Sequence, residues 1–379
     1  MNALIFTDGG ARAAFQVGIL KALFEAEPNI DFQIVAGISA GSVNASRFVA
    51  GSNDPQKAIR DLEQLYRQLK PSHIFNSKPI PLIKRILGRL TGLSDPDYLL
   101  DNHPMEDHIR KNISENDVNK SLKAGATKTL LVTAFNHSRS ISETFVFGDP
   151  GPHPIHHKNQ LWLNRQVNRY QNSYTIASAS IPVVFKPKQI EQDIYCDGMV
   201  RNHQPISPAV QAGATRILVI GTRAPEAVMS RKSIDEISPG TMFSDLLNSL
   251  FFDPIKADLS RIDEKNQLIE SGGSDHLGKH PFVHYDWVRP RVDLDQVAGK
   301  HLHKLPTALR SLIPEEKNGD RTSSTLAGFL LFDGDYCGEL IDLGYEQGQS
   351  QIDEMLSMLK PQKKTKLRRL NLSGSQQNQ

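Results

Sequence analysis

Cysteine is nearly missing from this chain: two among 379 residues, Cys196 and Cys337. Two thiols so placed build no disulfide framework and offer no zinc-ligand spacing. Both are expected as buried, small apolar residues, which fits a reducing compartment. Apolar runs of membrane-spanning length are missing too, and so is a secretory signal. An excess of one charge is missing: 44 Lys and Arg against 42 Asp and Glu leave +2. That excludes a general attraction to nucleic acid. No internal repeat is present. The glycine fingerprint of dinucleotide binding, G-x-G-x-x-G, is absent as well. Gly9 and Gly10 are adjacent and the next glycine is Gly18, which argues against a nucleotide-dependent enzyme. None of the thirteen histidines sits in a recognisable partner motif. His203 lies near Asp197-Gly198, but reads most simply as a polar loop residue.

What is present is an ordinary globular composition, 39% hydrophobic and 23% charged, in a chain long enough for a large core. The stretch Ile34 to Ala45, IVAGISAGSVNA, organises it. An apolar run leads into Gly37-Ile38-Ser39-Ala40-Gly41, which fits G-x-S-x-G, and small helix-tolerant residues follow. Strand, sharp turn and helix place Ser39 at the apex with a strained backbone and an exposed hydroxyl. Side chains at Gly37 or Gly41 would collide across so tight a corner. The helix aims its free N–H groups at the same point. A serine placed this way is a nucleophile for acyl transfer. A bare G-x-S-x-G arises by chance, so its weight comes from these flanks and from two further segments.

The chain order favours a parallel sheet covered by helices. Ala3 to Phe6 reads as a strand, Phe15 to Glu25 as a helix, Phe32 to Ala36 as a strand, and two helices follow from Gly41 and Asp54. Lys128 to Phe135, Glu143 to Phe147, Ile190 to Tyr195, Arg216 to Gly221 and Phe282 to Val288 read as strands. Leu161 to Asn172, Pro208 to Gly213, Ser323 to Phe332 and Tyr336 to Leu359 read as helices. We expect one domain over residues 1–360. Within it, 71–127 is a cap segment and 223–281 a helical insertion. In the cap, Ile80, Leu82, Ile83, Ile86, Leu87 and Leu90 interleave with Lys84, Arg85 and Arg89. A helix packed over the body is favoured there over one lying on a membrane. In the insertion, Met242 to Phe252 reads as core ahead of an acyl pocket. The basic, polar tail 361–379 is expected to be a solvated end.

Acyl transfer also needs a base and donors for the oxyanion. Gly9, Gly10 and Ala11 lie between the first strand and a helix start, where backbone N–H groups are unpaired and a substrate oxygen can approach. Both glycine turns fall at the carboxyl edge of neighbouring parallel strands, where ligands collect. Asp197 ends a short strand ahead of Gly198 and can project to the same edge, although on local sequence alone it reads as a turn or cap aspartate. A carboxylate is a weak base unless burial raises its pKa.

Together these segments resemble the patatin-like phospholipase family: a strand, a Gly-Gly-Gly-x-Arg-Gly loop, a G-x-S-x-G turn, and a later Asp-Gly. The resemblance extends to Val17 through Leu23, Leu100 through Met105, Ala177 through Phe185, Pro205 through Ala209, and Gly213-Ala214 with Arg216 through Ile220. It covers most of residues 1–222. It implies a three-layer α/β sandwich and a Ser-Asp dyad that works without histidine, metal or cofactor. Carried over, Ser39 is the nucleophile and Asp197 the base. Gly9, Gly10 and Ala11 are the oxyanion donors, with Gly37, Gly41 and Gly198 as supporting glycines. Arg12 shapes the loop or meets a phosphate. The implied activity is a phospholipase or lipid esterase with a lipid or acyl ester as partner, and peripheral membrane contact through the 80–90 patch or the basic tail is the less favoured reading of those segments. Since a leader could not be cleaved just ahead of a catalytic loop, a cytoplasmic location is expected. Three positions depart from the family: Asp8 for the first loop glycine, Ala13 for the glycine after the arginine, and Met199 for the small residue after Asp-Gly. They motivate the alternative of a weak or inactive lipid-binding or regulatory protein on the same scaffold.

Overall fold

Strand β1 (Asn2–Phe6) shows why the chain builds three layers. Its alternate side chains enter two different cores. Leu4 and Phe6 join one cluster, Ala3 and Ile5 the other. A strand apolar on both faces must be covered on both. In this computed structural model the described residues are 1–76, 102–151, 162–182, 184–201, 206–225, 239–271, 281–306, 310 and 327–360, with side chains of the 239–270 helix from residue 255 onward.

Eight further strands are described: β2 (Ile34–Ile38), β3 (Thr129–Asn136), β4 (Ile141–Gly148), β5 (Trp162–Val167), β6 (Lys188–Ile190), β7 (Asp193–Asp197), β8 (Arg216–Ile220) and β9 (His284–Val288). Their order is β5-β4-β3-β2-β1-β8-β9, with β7 pairing both β3 and β6. The stretch from β3 through β2, β1 and β8 to β9 is parallel throughout. The result is an α/β fold with a mostly parallel central sheet and flanking helices.

One face carries α1 (Ala14–Ala26), α2 (Ala40–Ala50) and α3 (Pro55–Arg67). The helices α4 (His103–Asn112), α5 (Glu115–Ala124) and α6 (Asn172–Ser178) add to that side through Met105, Val118 and Ile176. The opposite face carries α7 (Ser207–Gln211) and α8 (Pro239–Glu270), the latter through Ile255, Leu259 and Ile262. A short α9 (Leu294–Lys300), then α10 (Gly334–Ser350) and α11 (Ile352–Leu359), return the chain to the first face. Local signals fix several starts. Asp54 accepts from the Lys57 N–H at 3.0 Å ahead of Pro55, and Ser114 accepts from the Asp117 N–H at 3.2 Å, so each caps its helix.

Three expected elements differ. Leu161 to Asn172 is not a helix, since β5 occupies Trp162–Val167 and pairs in parallel with β4. Its burial alternates at Trp162, Leu163, Asn164 and Arg165, the period of a half-covered strand. Pairing with β4, the preceding strand in the chain, overrode the local helical pattern. The strand expected at Ile190 to Tyr195 is instead a hairpin of β6 and β7, turning at Glu191 with φ 53°. The helix expected over Tyr336 to Leu359 breaks at Gln351 into α10 and α11. The apolar-basic patch at 80–90, His203, the tail, and the side chains of Met242 to Phe252 lie outside the described residues.

Candidate active site

Strand β3 is longer than its neighbour β2, and the site grows from that mismatch. β2 pairs with β3 as far as Ile38 opposite Thr133. The next β3 residue, Ala134, is paired instead by Asp197 at the end of antiparallel β7. The other edge of β3 is taken along its length by β4. β2 and β7 therefore arrive on one edge of β3 from opposite directions, and their ends meet. The residue after Ile38 is Ser39. Its Oγ donates to Asp197 Oδ2 at 2.6 Å. The sheet thus brings together side chains 158 residues apart in sequence.

Ser39 occupies φ 54°, ψ −131°, a region where a side chain is strained and a surrounding frame must hold it. The frame is close. A Cβ on Gly37 would overlap the Gly41 carbonyl across the corner. One on Gly41 would overlap the carbonyls of Phe6 and Thr7, so α2 starts directly against the end of β1. Gly41 therefore serves contact with β1 rather than the corner itself. Ser178 closes the seam between the two strand ends. It accepts from the Ser39 N–H at 3.0 Å and donates to the Thr133 carbonyl at 2.6 Å. The Met199 N–H donates to Asp197 Oδ1 at 3.0 Å, which fixes the carboxylate plane.

Beside this pair, Gly9 (φ 150°) and Gly10 (φ 56°) lead into a single 3₁₀ turn over Gly10–Ala13. The turn closes with the Arg12 N–H donating to the Gly9 carbonyl at 3.1 Å. The amides of Gly9, Gly10 and Ala11 precede that first internal bond, as helix-start amides do. A Cβ on Gly10 would overlap the Phe329 carbonyl, and its φ is one that L side chains rarely adopt. The Asp8 carbonyl accepts from the Thr222 hydroxyl at 2.7 Å.

The Arg12 side chain is buried and turns toward the C-terminal part of the chain. It pairs with Asp295 on α9 and stacks at 4.1 Å over the Phe329 ring. Gly328 leaves room for the guanidinium. These contacts fit the loop-shaping role of the two expected for it. A buried polar chain joins the same loop to α2. Asn44 donates to the Ala13 carbonyl at 3.0 Å and to Gln16 Oε1 at 2.9 Å. Gln16 donates to the carbonyls of Thr7 and Ile220, both at 2.9 Å, and Tyr66 donates to Asn44 at 2.9 Å. Ala13 and Met199, two of the departures from the family pattern, both sit fully packed in this frame.

Electrostatics follow from burial. Asp197 has no exposed surface, and desolvation lifts its carboxyl to about 7. The bonds from Ser39 and the Met199 amide pull the other way without overcoming it. Asp8 is also buried and is raised well above the usual carboxylate range. Burial is the largest cause and the Asp197 charge the next, with Arg12 opposing.

Sequence reasoning missed Gln16, Asn44, Ser178 and Thr222 as site builders. A signal existed for Gln16, a polar residue between Phe15 and Val17 at the start of an apolar helix, whereas Asn44 and Ser178 lie in helices with several other polar residues and stand out only by their burial. Thr222 carries none, because its partner is 214 residues away. Among the described residues, no group of three or more His, Cys, Asp or Glu side chains is arranged to hold a metal ion.

A three-layer α/β fold that sets a serine hydroxyl against a buried carboxylate at its strand ends has the parts that nucleophilic acyl transfer needs. A family model described as patatin-like phospholipase matches residues 4–210, more than half of the chain, which therefore belongs to that family. No curated protein matches it. Two solved structures are similar to it at 14% identity. VipD from Legionella pneumophila has a TM-score of 0.34, with 93% of this chain and 67% of that one covered. The human GIVD cytosolic phospholipase A2, solved with methyl gamma-linolenyl fluorophosphonate inhibitor and terbium chloride, has a TM-score of 0.42, with 95% and 59% covered. The chain thus spans about three fifths of that phospholipase.

Proposed function

We propose that this protein hydrolyses carboxylic esters of lipids, as a phospholipase or lipid esterase, through a Ser39–Asp197 dyad. The observation that carries the reading is the 2.6 Å bond from Ser39 Oγ to a carboxylate that burial has made basic near neutral pH. Asp197 takes the hydroxyl proton as Ser39 attacks the ester carbonyl. The amides of Gly9, Gly10 and Ala11 hold the oxyanion. Asp197 returns the proton to the departing alcohol. Water then attacks the acyl-serine, Asp197 again taking its proton, and the fatty acid leaves. Arg12 holds the loop in place through Asp295 and Phe329. No step calls on a cofactor. Because Asp197 acts ionised, the rate rises as pH climbs through about 7.

The substrate belongs to the lipid class expected of the family. Both cysteines are free and buried, which agrees with a reducing, cytoplasmic setting. No helix among the described residues is long and apolar enough to cross a membrane.

A fluorophosphonate probe should label Ser39, mapped by peptide mass, and ester turnover should accompany it. Ser39→Ala should lose both, with turnover down at least about 10⁴-fold. Retained labelling or full turnover in Ser39→Ala would sink the reading. A wild type that binds lipid vesicles yet hydrolyses no ester of any chain length would favour the lipid-binding alternative.

A further inference from the structure

Asp8 is the one acidic residue of the glycine loop, and the dyad chemistry leaves it without a task. Its position is set by the sheet. Phe6 of β1 stands opposite Gly37 of β2 in parallel register, and each chain runs two residues on, to Asp8 and to Ser39. The Thr7 N–H still bonds the Ile220 carbonyl at 3.2 Å, so β1 holds its course almost to Asp8. The residue is 5% exposed. Its backbone carbonyl is pinned by Thr222, yet its side-chain Oδ1 is buried with no hydrogen-bond partner among the described residues. An ionised carboxylate left so bare would be very costly, while a protonated one has an O–H to offer.

On the reading that Ser39 and Asp197 cleave esters, we propose that Asp8 works as a neutral carboxylic acid, donating its O–H to the substrate carbonyl oxygen held by the glycine loop. The site then contains two carboxyl groups with opposed tasks: Asp197 accepts a proton, and Asp8 keeps one. Environments that push two titrating groups apart assign such roles. Here Asp197 reaches about 7, and Asp8 is raised as well, first by burial and next by the Asp197 charge. No bond to hydrogen breaks at Asp8. The hydrogen bond strengthens as charge builds on the oxygen. The charged groups that act on Asp8 are Asp197, at the end of β7, and Arg12 in its own loop, itself paired with Asp295 on α9. Once Asp8 ionises, its charge faces the oxyanion and activity falls. The rate therefore rises through about 7 and falls again where Asp8 loses its proton.

The test compares pH–rate profiles of kcat and KM for wild type, Asp8→Asn and Asp8→Ala on one soluble ester, with fluorophosphonate labelling of Ser39 in each. Asp8→Asn, a donor that cannot ionise, should lose the alkaline fall while its plateau drops by about two- to tenfold. Asp8→Ala should lower kcat by about 10²–10³-fold with KM nearly unchanged, the cost of one oxyanion donor. An alkaline fall that survives in Asp8→Asn overturns the proposal, and so does wild-type kcat in Asp8→Ala. Should Asp8→Ala fail to fold, the Asp8→Asn profile decides alone. Failure of the underlying reading looks different: wild type itself would neither label at Ser39 nor turn over, and both conclusions would fall together.

Discussion

The two halves of the candidate site are held by different means. The Ser39–Asp197 half is placed by backbone: two strand ends on one edge of β3, within the residues the family model matches. The glycine-loop half is placed by side chains, Asn44 and Gln16 within that match and Thr222, Asp295 and Phe329 beyond it. Backbone register changes only if the sheet changes, whereas a side-chain clasp is undone by a single substitution. The dyad should therefore be the sturdier half, and the loop the half through which activity is tuned.

The largest expected break in that contrast is Asp295→Ala. It leaves the Arg12 guanidinium buried without its carboxylate, a change that typically costs about 3–5 kcal/mol. Thermal melting should show the loss. Turnover should fall about 10- to 100-fold while Asp197 still sets the acid limb of the pH profile. An unchanged rate would mean that the loop does not depend on the clasp. Arg12→Lys should behave similarly, because a lysine cannot both pair with Asp295 and stack on Phe329.

The next effect concerns the dyad half and runs through pH. Asp197 is raised in the folded state, so the folded protein holds a proton that the unfolded chain releases near pH 4. Its favourable contribution is complete below about 4 and is lost as pH rises to about 7. Asp197→Asn lacks this term. Its melting temperature relative to wild type should climb by several degrees between those pH values and then level off, with turnover abolished. A constant difference across that range would contradict the burial account.

The smallest effect is Thr222→Val, which deletes the hydroxyl bonded to the Asp8 carbonyl and keeps the shape. A loss of about 1 kcal/mol in denaturant unfolding and a few-fold fall in kcat are expected. If stability alone drops, the clasp acts on the fold but not on the loop.

The same division separates what the sequence disclosed from what it did not. Ser39 and the glycine turn stood out as candidates because sharp strand-to-helix corners demand particular small residues at fixed spacing, whereas Asp197 was singled out only through the family resemblance. The order of β1, α1, β2 and α2 was legible from periodicity, as was the adjacency of β1 and β2. β5 was misread because its partner β4, not its own pattern, decides its form. Arg12 was singled out, but its partner 283 residues away was not, since no local pattern points across that distance. Asp8 stood out as a departure from the family pattern. Only the fold shows that it is buried, and burial turns an apparent liability into a candidate donor.

The shared edge of β3 has a further consequence. β2 and β7 draw on one row of backbone groups, and the handover falls between Thr133 and Ala134. Extending either strand by a single residue would evict the other from the row. The place along β3 where the two strand ends meet can then shift only in steps of about 3.3 Å, the rise of one residue. Strand register, rather than any side-chain clasp, therefore sets where Ser39 and Asp197 meet along β3.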